Sequence, residues 1–205
     1  MHLWHDLMAW QISICIGLQS FLFYGIGTWT PSILVEHGVS RAEAGVLWSI
    51  CNLGNIPASF LAPLLFTRRG LQRPLMVTSV SMFAITIIGT ALFPLTLTWL
   101  WMVLLGTAAS IAFGGALMLV VQRSPDHPHA VALSGMAQAL GYGISAAGPF
   151  LVGVVHDLTG SWEVPILMLL GILAIFAWAA LGSCRPALVG QGRPTEPISP
   201  PGARP

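Results

Sequence analysis

Six long apolar runs, each of bilayer-crossing length, organise this 205-residue chain. They cover approximately residues 7–31, 44–66, 75–95, 98–121, 131–155 and 163–183. A membrane-spanning helix needs about 20 mostly apolar residues, because the hydrocarbon layer is about 30 Å thick. Open strands are excluded, since unpaired backbone groups cannot be left in lipid. Strands of a membrane barrel would alternate in polarity over segments of about ten residues, and these runs are continuously apolar. The chain is expected to be an all-α membrane protein of six transmembrane helices.

Composition excludes the soluble alternatives. Charged residues make up 7% of the chain and hydrophobic ones 55%, whereas a soluble domain carries roughly 25% charged residues. The apolar surface must therefore face membrane lipid. A net charge of +1, from eight arginines and no lysine, is too small for a nucleic-acid-binding surface. Cys15, Cys51 and Cys184 are scattered, without CxxC or metal-ligand spacing, so neither a metal nor another cofactor is expected. Met1 to Asp6 holds no Lys or Arg. The first run therefore reads as a span and not as a cleaved signal sequence.

The arginines orient the spans. Arg68, Arg69 and Arg73 crowd the turn between the second and third spans. Arg123 follows the fourth span, and Arg185, Arg193 and Arg204 follow the sixth. Only Arg41 lies in a loop of the other side. Seven against one places the 1–6 segment, the 68–74 turn, the 122–130 loop and the C-terminal tail in the cytoplasm by the positive-inside rule. The expected location is the plasma (inner) membrane. From 186 to 205, Pro, Gly and polar residues replace the apolar run, a composition expected to leave a disordered tail.

No Asp, Glu, Lys, Arg or His sits near the middle of a span, so any proton coupling is expected to use a titrating residue outside these spans. The polar residues that enter the membrane are neutral. In the fifth span Ser134, Gln138 and Tyr142 recur every four residues, beside a small-residue stripe of Gly135, Ala139, Gly143 and Ala147. Small residues at that spacing let helices approach closely, which predicts a fifth span buried in the bundle. In the second span Trp48, Asn52 and Asn55 share a face, with Pro57 and Pro63 as possible kink points. The first span carries Gln11, Cys15 and Gln19 on one face and Ser13, Ser20 and Tyr24 nearly opposite, so both sets cannot line one cavity of a straight helix. Gly106, Ser110 and Gly114 form a small stripe in the fourth span. The third and sixth spans have no comparable stripe and are expected to be the most exposed to lipid. Buried Asn, Gln and Tyr side chains have two open roles, bonding helix to helix or contacting a solute.

Catalysis has no support. Ser134-Gly135 lacks the preceding glycine of an intramembrane serine nucleophile, with Ala132 there, and no histidine lies at membrane depth to serve as its base. His156 and Asp157 sit at a span end, while His127 and His129 flank Pro128 in a loop.

The run Gly17-Leu18-Gln19-Ser20-Phe21-Leu22-Phe23-Tyr24, followed by Trp29-Thr30-Pro31-Ser32-Ile33-Leu34, resembles the seventh helix of cyanate permease-like transporters. Glu36-His37-Gly38-Val39-Ser40 with Ala44-Gly45 is similar to that family's entry to its eighth helix. Leu133-Ser134-Gly135-Met136-Ala137-Gln138 with Gly141-Tyr142 is similar to its eleventh, and His156-Asp157-Leu158-Thr159-Gly160-Ser161-Trp162 to the loop before its twelfth. These are transporters of the major facilitator superfamily, the group that includes cyanate and 2-nitroimidazole permeases. The resemblance covers roughly 9–183 and implies the C-terminal half of a twelve-helix transporter, built of two inverted three-helix repeats. It implies a missing N-terminal six-helix half as partner and a small polar or anionic organic solute as cargo. Gln138, Tyr142, Asn52, Asn55, Gln19 and Tyr24 are the expected solute contacts. The alternative is a non-transporting membrane subunit that packs against other membrane chains. The turn Thr67-Arg68-Arg69-Gly70-Leu71-Gln72-Arg73 shares only its arginines with the superfamily's loop, whose aspartate is absent here.

Overall fold

The computed structural model describes residues 3–190, apart from the side chain of Arg69. A short 3-10 turn (Leu3–His5) precedes six helices: α1 (Leu7–Glu36), α2 (Arg41–Phe66), α3 (Arg69–Leu92), α4 (Thr98–Gln122), α5 (His127–Thr159) and α6 (Glu163–Ser183). All six are long and apolar enough to cross a membrane. They extend beyond the apolar runs because polar caps lie outside the lipid-compatible stretch. Asp6 accepts from the amides of Met8 (2.8 Å) and Ala9 (3.2 Å) at the start of α1. Ser40 and Glu43 form a reciprocal capping box on α2, and Asp126 accepts from the amide of His129 on α5. Pro31, Pro57, Pro63, Pro74 and Pro149 all lie inside helices without ending them. The α5–α6 turn pivots on Gly160, whose φ of +65° suits glycine.

The packing has an internal symmetry. Exchanging α1–α3 with α4–α6 maps the α2–α4 contact onto α5–α1, and α3–α4 onto α6–α1, while α1–α4 and α3–α6 map onto themselves. This is the pattern of two three-helix repeats of inverted topology. Helices α1 and α4 form the centre, with 67% and 61% of their span residues buried.

Burial within the chain bears on two expectations. The spans expected to face lipid most, α3 and α6, are 39% and 33% buried by the other helices of this chain, and α2 and α5, which it leaves more uncovered, are 22% and 28% buried. The bare helices pack on each other, with Phe83 and Phe176 in an edge-on contact at 5.7 Å. Helix α5 is correspondingly not buried on its expected stripe. Gly135, Ala139 and Gly143 are exposed, and a Cβ on Gly135 or Gly143 would meet nothing within 4 Å. The close approach uses the other face. A Cβ on Gly141 would lie 2.7 Å from Ile16, and one on Gly148 would lie 2.8 Å from the Phe21 carbonyl oxygen. Small residues occupy both faces of α5, and only the matching surface of α1 selects between them. In α4, Gly106 and Gly114 do face a neighbour: a Cβ on Gly106 would lie 2.1 Å from the Cys51 carbonyl oxygen, and one on Gly114 would lie 3.3 Å from Pro63.

One end of the bundle, the arginine end, gathers the 67–68 turn, the 123–126 loop and both ends of the described chain. Arg123 is buried there. Its guanidinium donates to Gln72 Oε1 (2.7 Å), Ser183 O (3.2 Å) and Cys184 O (3.1 Å). Gln72 also donates to Gln122 and to the carbonyl of Phe66, tying the ends of α2, α3, α4 and α6 together. The expected disordered tail is ordered at its start. The amide of Val189 donates to Arg123 O (2.8 Å), that of Gly190 donates to Asp6 Oδ2 (2.6 Å), and Val189 is fully buried. A single apolar side chain and two backbone bonds dock this segment despite its composition. Residues 191–205, which include Arg193 and Arg204, lie outside the described residues. Arg68 and Arg73 are exposed.

Candidate functional site: a polar cavity between α1, α2, α4 and α5

The symmetric packing leaves a cavity of about 580 Å³ where α1, α2, α4 and α5 diverge, within the usual size of small-molecule sites. From α1, Gln19, Ser20, Phe23 and Tyr24 face it. Asn55, Ser59 and Pro63 come from α2, Ser110 and Phe113 from α4, and Tyr142 and Ser145 from α5. Its wall holds no charged side chain and no histidine. Amides, hydroxyls and aromatic rings alternate around it, so it can hold a solute by directional hydrogen bonds and ring contact, without a fixed counter-charge.

The polar groups are pre-positioned. Gln19 is buried and its amide donates to Ser20 Oγ (2.5 Å). Ser110 Oγ donates to the Asn55 carbonyl (3.1 Å), fixing α2 against α4 at the cavity wall. Ser145 Oγ donates to the Tyr142 carbonyl (3.0 Å). Tyr24 and Tyr142 are each about half exposed, at 50% and 55%, and stand at the open side. Neither phenol is hydrogen-bonded among the described residues, so both are available to a ligand. Phe23 contacts Tyr24 edge-on at 5.2 Å and Trp48 at 5.7 Å.

Four of the six expected contacts thus converge: Gln19, Tyr24, Asn55 and Tyr142. Gln19 and Tyr24, expected on faces too far apart, share the cavity because it wraps around α1. Ser20 and Phe23 fill the arc between them. Gln138 and Asn52 do not line the cavity. Gln138 donates within its own helix to Ser134 Oγ (2.8 Å), and the exposed Asn52 donates to Ser49 O (3.4 Å). Ser59 and Ser145 went unmarked in the sequence, although each lies one helical turn from an expected contact, Asn55 and Tyr142 respectively. Ser110 was expected to serve packing alone; its hydroxyl also faces the cavity.

A second space, of about 690 Å³, lies at the arginine end beside His5, Asp6, Gln11, His129 and Arg185. Leu3 and Gly190 also line it. No group of three His, Cys, Asp or Glu residues able to hold a metal ion occurs among the described residues.

The family model described as Major Facilitator Superfamily matches residues 12–201. A relative from Bacillus subtilis (strain 168), named "Uncharacterized transporter YycB", is 37% identical over 92% of this chain and 47% of its own length. The "2-nitroimidazole transporter" of Escherichia coli (strain K12) is 34% identical over 87% of this chain and 46% of its own length. The "Cyanate transport protein CynX" of the same organism is 25% identical over 82% of this chain and 44% of its own length. The chain spans about half the length of the curated relatives it matches.

Proposed function

The chain belongs to the major facilitator superfamily, and on that premise we propose that it forms one six-helix half of a transport path for a small polar or anionic organic solute. The observation that carries this reading is the uncharged, polar-lined cavity between α1, α2, α4 and α5. Facilitator-type sites lie near the bilayer midplane between two halves, and access alternates by rocking one half against the other. Gln19, Tyr24, Asn55 and Tyr142 contact the solute in this reading, with Gln138 and Asn52 one turn away on the same helices. The exposed faces of α2 and α5 meet a second, N-terminal six-helix half, which supplies the opposing wall. Both termini and the 68–74 turn lie in the cytoplasm, and the membrane is the plasma membrane. The role is transport and not catalysis.

The test is uptake of radiolabelled cyanate and of 2-nitroimidazole by cells producing this chain with the N-terminal half of the B. subtilis relative. Saturable uptake of either probe is expected with both halves and not with this chain alone. Tyr142→Phe and Asn55→Ala should raise KM at unchanged membrane level. Saturable uptake by the chain alone would refute the half-path reading in favour of a six-helix carrier. An apolar ridge on α2, where Leu53, Phe60 and Leu64 are exposed, favours a second reading, a packing subunit without transport. That reading expects stable association of the two halves with no uptake of either probe.

A further inference from the structure

The run from His156 to Trp162, at the end of the bundle opposite the arginines, has no part in the polar cavity. Gly160, with its φ of +65°, ends α5 and turns the chain back, so that Ser161 and Trp162 return to the His156 side chain. The imidazole stacks on the Trp162 indole, with ring centroids 3.8 Å apart and an interplanar angle of 15°. Its Nδ1 faces the Ser161 carbonyl oxygen at 3.3 Å, and its Nε2 faces Glu36 Oε1 at 4.0 Å. The other oxygen of that carboxylate accepts from Trp162 Nε1 at 2.7 Å. Glu36 is the last residue of α1, His156 belongs to α5, and Trp162 caps α6. One carboxylate and one ring therefore join three helix ends.

Both ring nitrogens are turned toward oxygens that only accept. A carboxylate and a backbone carbonyl have no hydrogen to give, and a neutral imidazole carries one N–H. Neutral His156 thus satisfies one of its two neighbours and turns a lone pair toward the other. The imidazolium carries an N–H on each nitrogen and matches both. The indole adds to this preference, because the face of a tryptophan ring attracts a stacked cation. The other charged or titratable groups at this end are His37 of the α1–α2 turn, Arg41 of α2, Asp157 of α5 and Glu163 of α6, all exposed. His37 turns its ring to the Ile33 carbonyl, and Arg41 lines a shallow cleft with Glu36. Among the described residues, Glu36 is the only carboxylate within 4.0 Å of the His156 ring nitrogens.

We propose that His156, between Glu36, the Ser161 carbonyl and the Trp162 ring, is a proton-binding site, and that the bound proton ties the ends of α1, α5 and α6 together. The proton comes from water and settles on Nε2 beside Glu36, while the Nδ1–H stays on the Ser161 carbonyl; no other bond changes. A group whose charged form gains partners on folding stabilises the folded chain only while it is charged. This contribution is fully present below about pH 6.5, where an ordinary histidine takes up its proton. It is lost as the pH rises and the ring gives the proton up. The site needs neither a cargo nor a second six-helix half, so it stands or falls apart from the transport reading.

The test is the thermal midpoint of the 205-residue chain in detergent at pH 5.5 and pH 8, compared with His156→Gln, Glu36→Gln and the double variant. Other histidines titrate in the same range, so the quantity read is the loss each substitution causes at one pH against the other. His156→Gln is expected to lower the midpoint by about 2–4 °C more at pH 5.5 than at pH 8. Glu36→Gln should show the same excess loss in acid. The double variant should lose no more than the larger single loss, because the two groups act as a pair. Should His156→Gln not fold, Glu36→Gln alone is expected to show the excess at pH 5.5. Equal losses at both pH values, or a larger loss at pH 8, overturn the proton site and leave His156 as a neutral stacking partner of Trp162.

Discussion

Replacing Gly106 and Gly143 by alanine, one at a time, separates a glycine demanded by packing from one that is merely small. A Cβ on Gly106 would sit 2.1 Å from the Cys51 carbonyl oxygen and 3.1 Å from the Asn55 amide nitrogen, both backbone atoms that cannot rotate away. The α2–α4 interface would have to open by about 1 Å, and overpacking of this kind costs about 1–3 kcal/mol. Helix propensity opposes that loss by about 1 kcal/mol, since alanine replaces glycine inside a helix. With an immovable partner the upper end applies, which leaves Gly106→Ala about 2 kcal/mol less stable. A Cβ on Gly143 would meet nothing within 4 Å, so Gly143→Ala keeps only the propensity gain, about 0.5–1 kcal/mol. The two variants should differ by about 3 kcal/mol. At about 2–4 °C per kcal/mol for a chain of this size, their melting temperatures should lie about 6–12 °C apart. Thermal unfolding in detergent, followed by size-exclusion chromatography, reads this difference directly. Equal midpoints, or Gly143→Ala as the less stable variant, would refute the assignment of the packing faces.

Three further outcomes follow from the arginine end. Arg123→Leu removes three hydrogen bonds to a buried cation and strands Gln72 Oε1. A loss of about 3–5 kcal/mol is expected, against a change within about 0.5 kcal/mol for the exposed Arg68→Leu, both read in the same melting assay. Burial pushes the Cys184 thiol up to about 11, with the Arg123 guanidinium pulling the other way. Its alkylation by iodoacetamide at pH 8 should therefore be roughly 100-fold slower than that of a free thiol, measured by peptide mass; a rate near the free-thiol value would contradict the burial. In intact cells, a cysteine placed at Arg73 should be shielded from a membrane-impermeant thiol reagent and one at Gly160 labelled; the reverse pattern would invert the orientation.

The apolar runs and the arginine asymmetry were readable in the chain itself. Hydrophobic length is a local property, and a bilayer allows only helices or closed barrels to use it. The six spans and the family motifs all follow from residues near one another in sequence. What only the tertiary structure decided was which face of each helix meets which neighbour. Gly135 and Gly143 satisfy the small-residue pattern as well as Gly141 and Gly148 do, but only the second pair meets Ile16 and Phe21 of α1. Gln19 and Tyr24 come to one cavity because its wall wraps around α1, and Gln138 misses it by one turn. Arg123 reads as a loop charge until the ends of α3 and α6 converge on its guanidinium. Periodicity places a residue on a face, but facing is a relation between two helices. It is settled by shape complementarity between segments as far apart as Cys51 and Gly106, which no local pattern encodes.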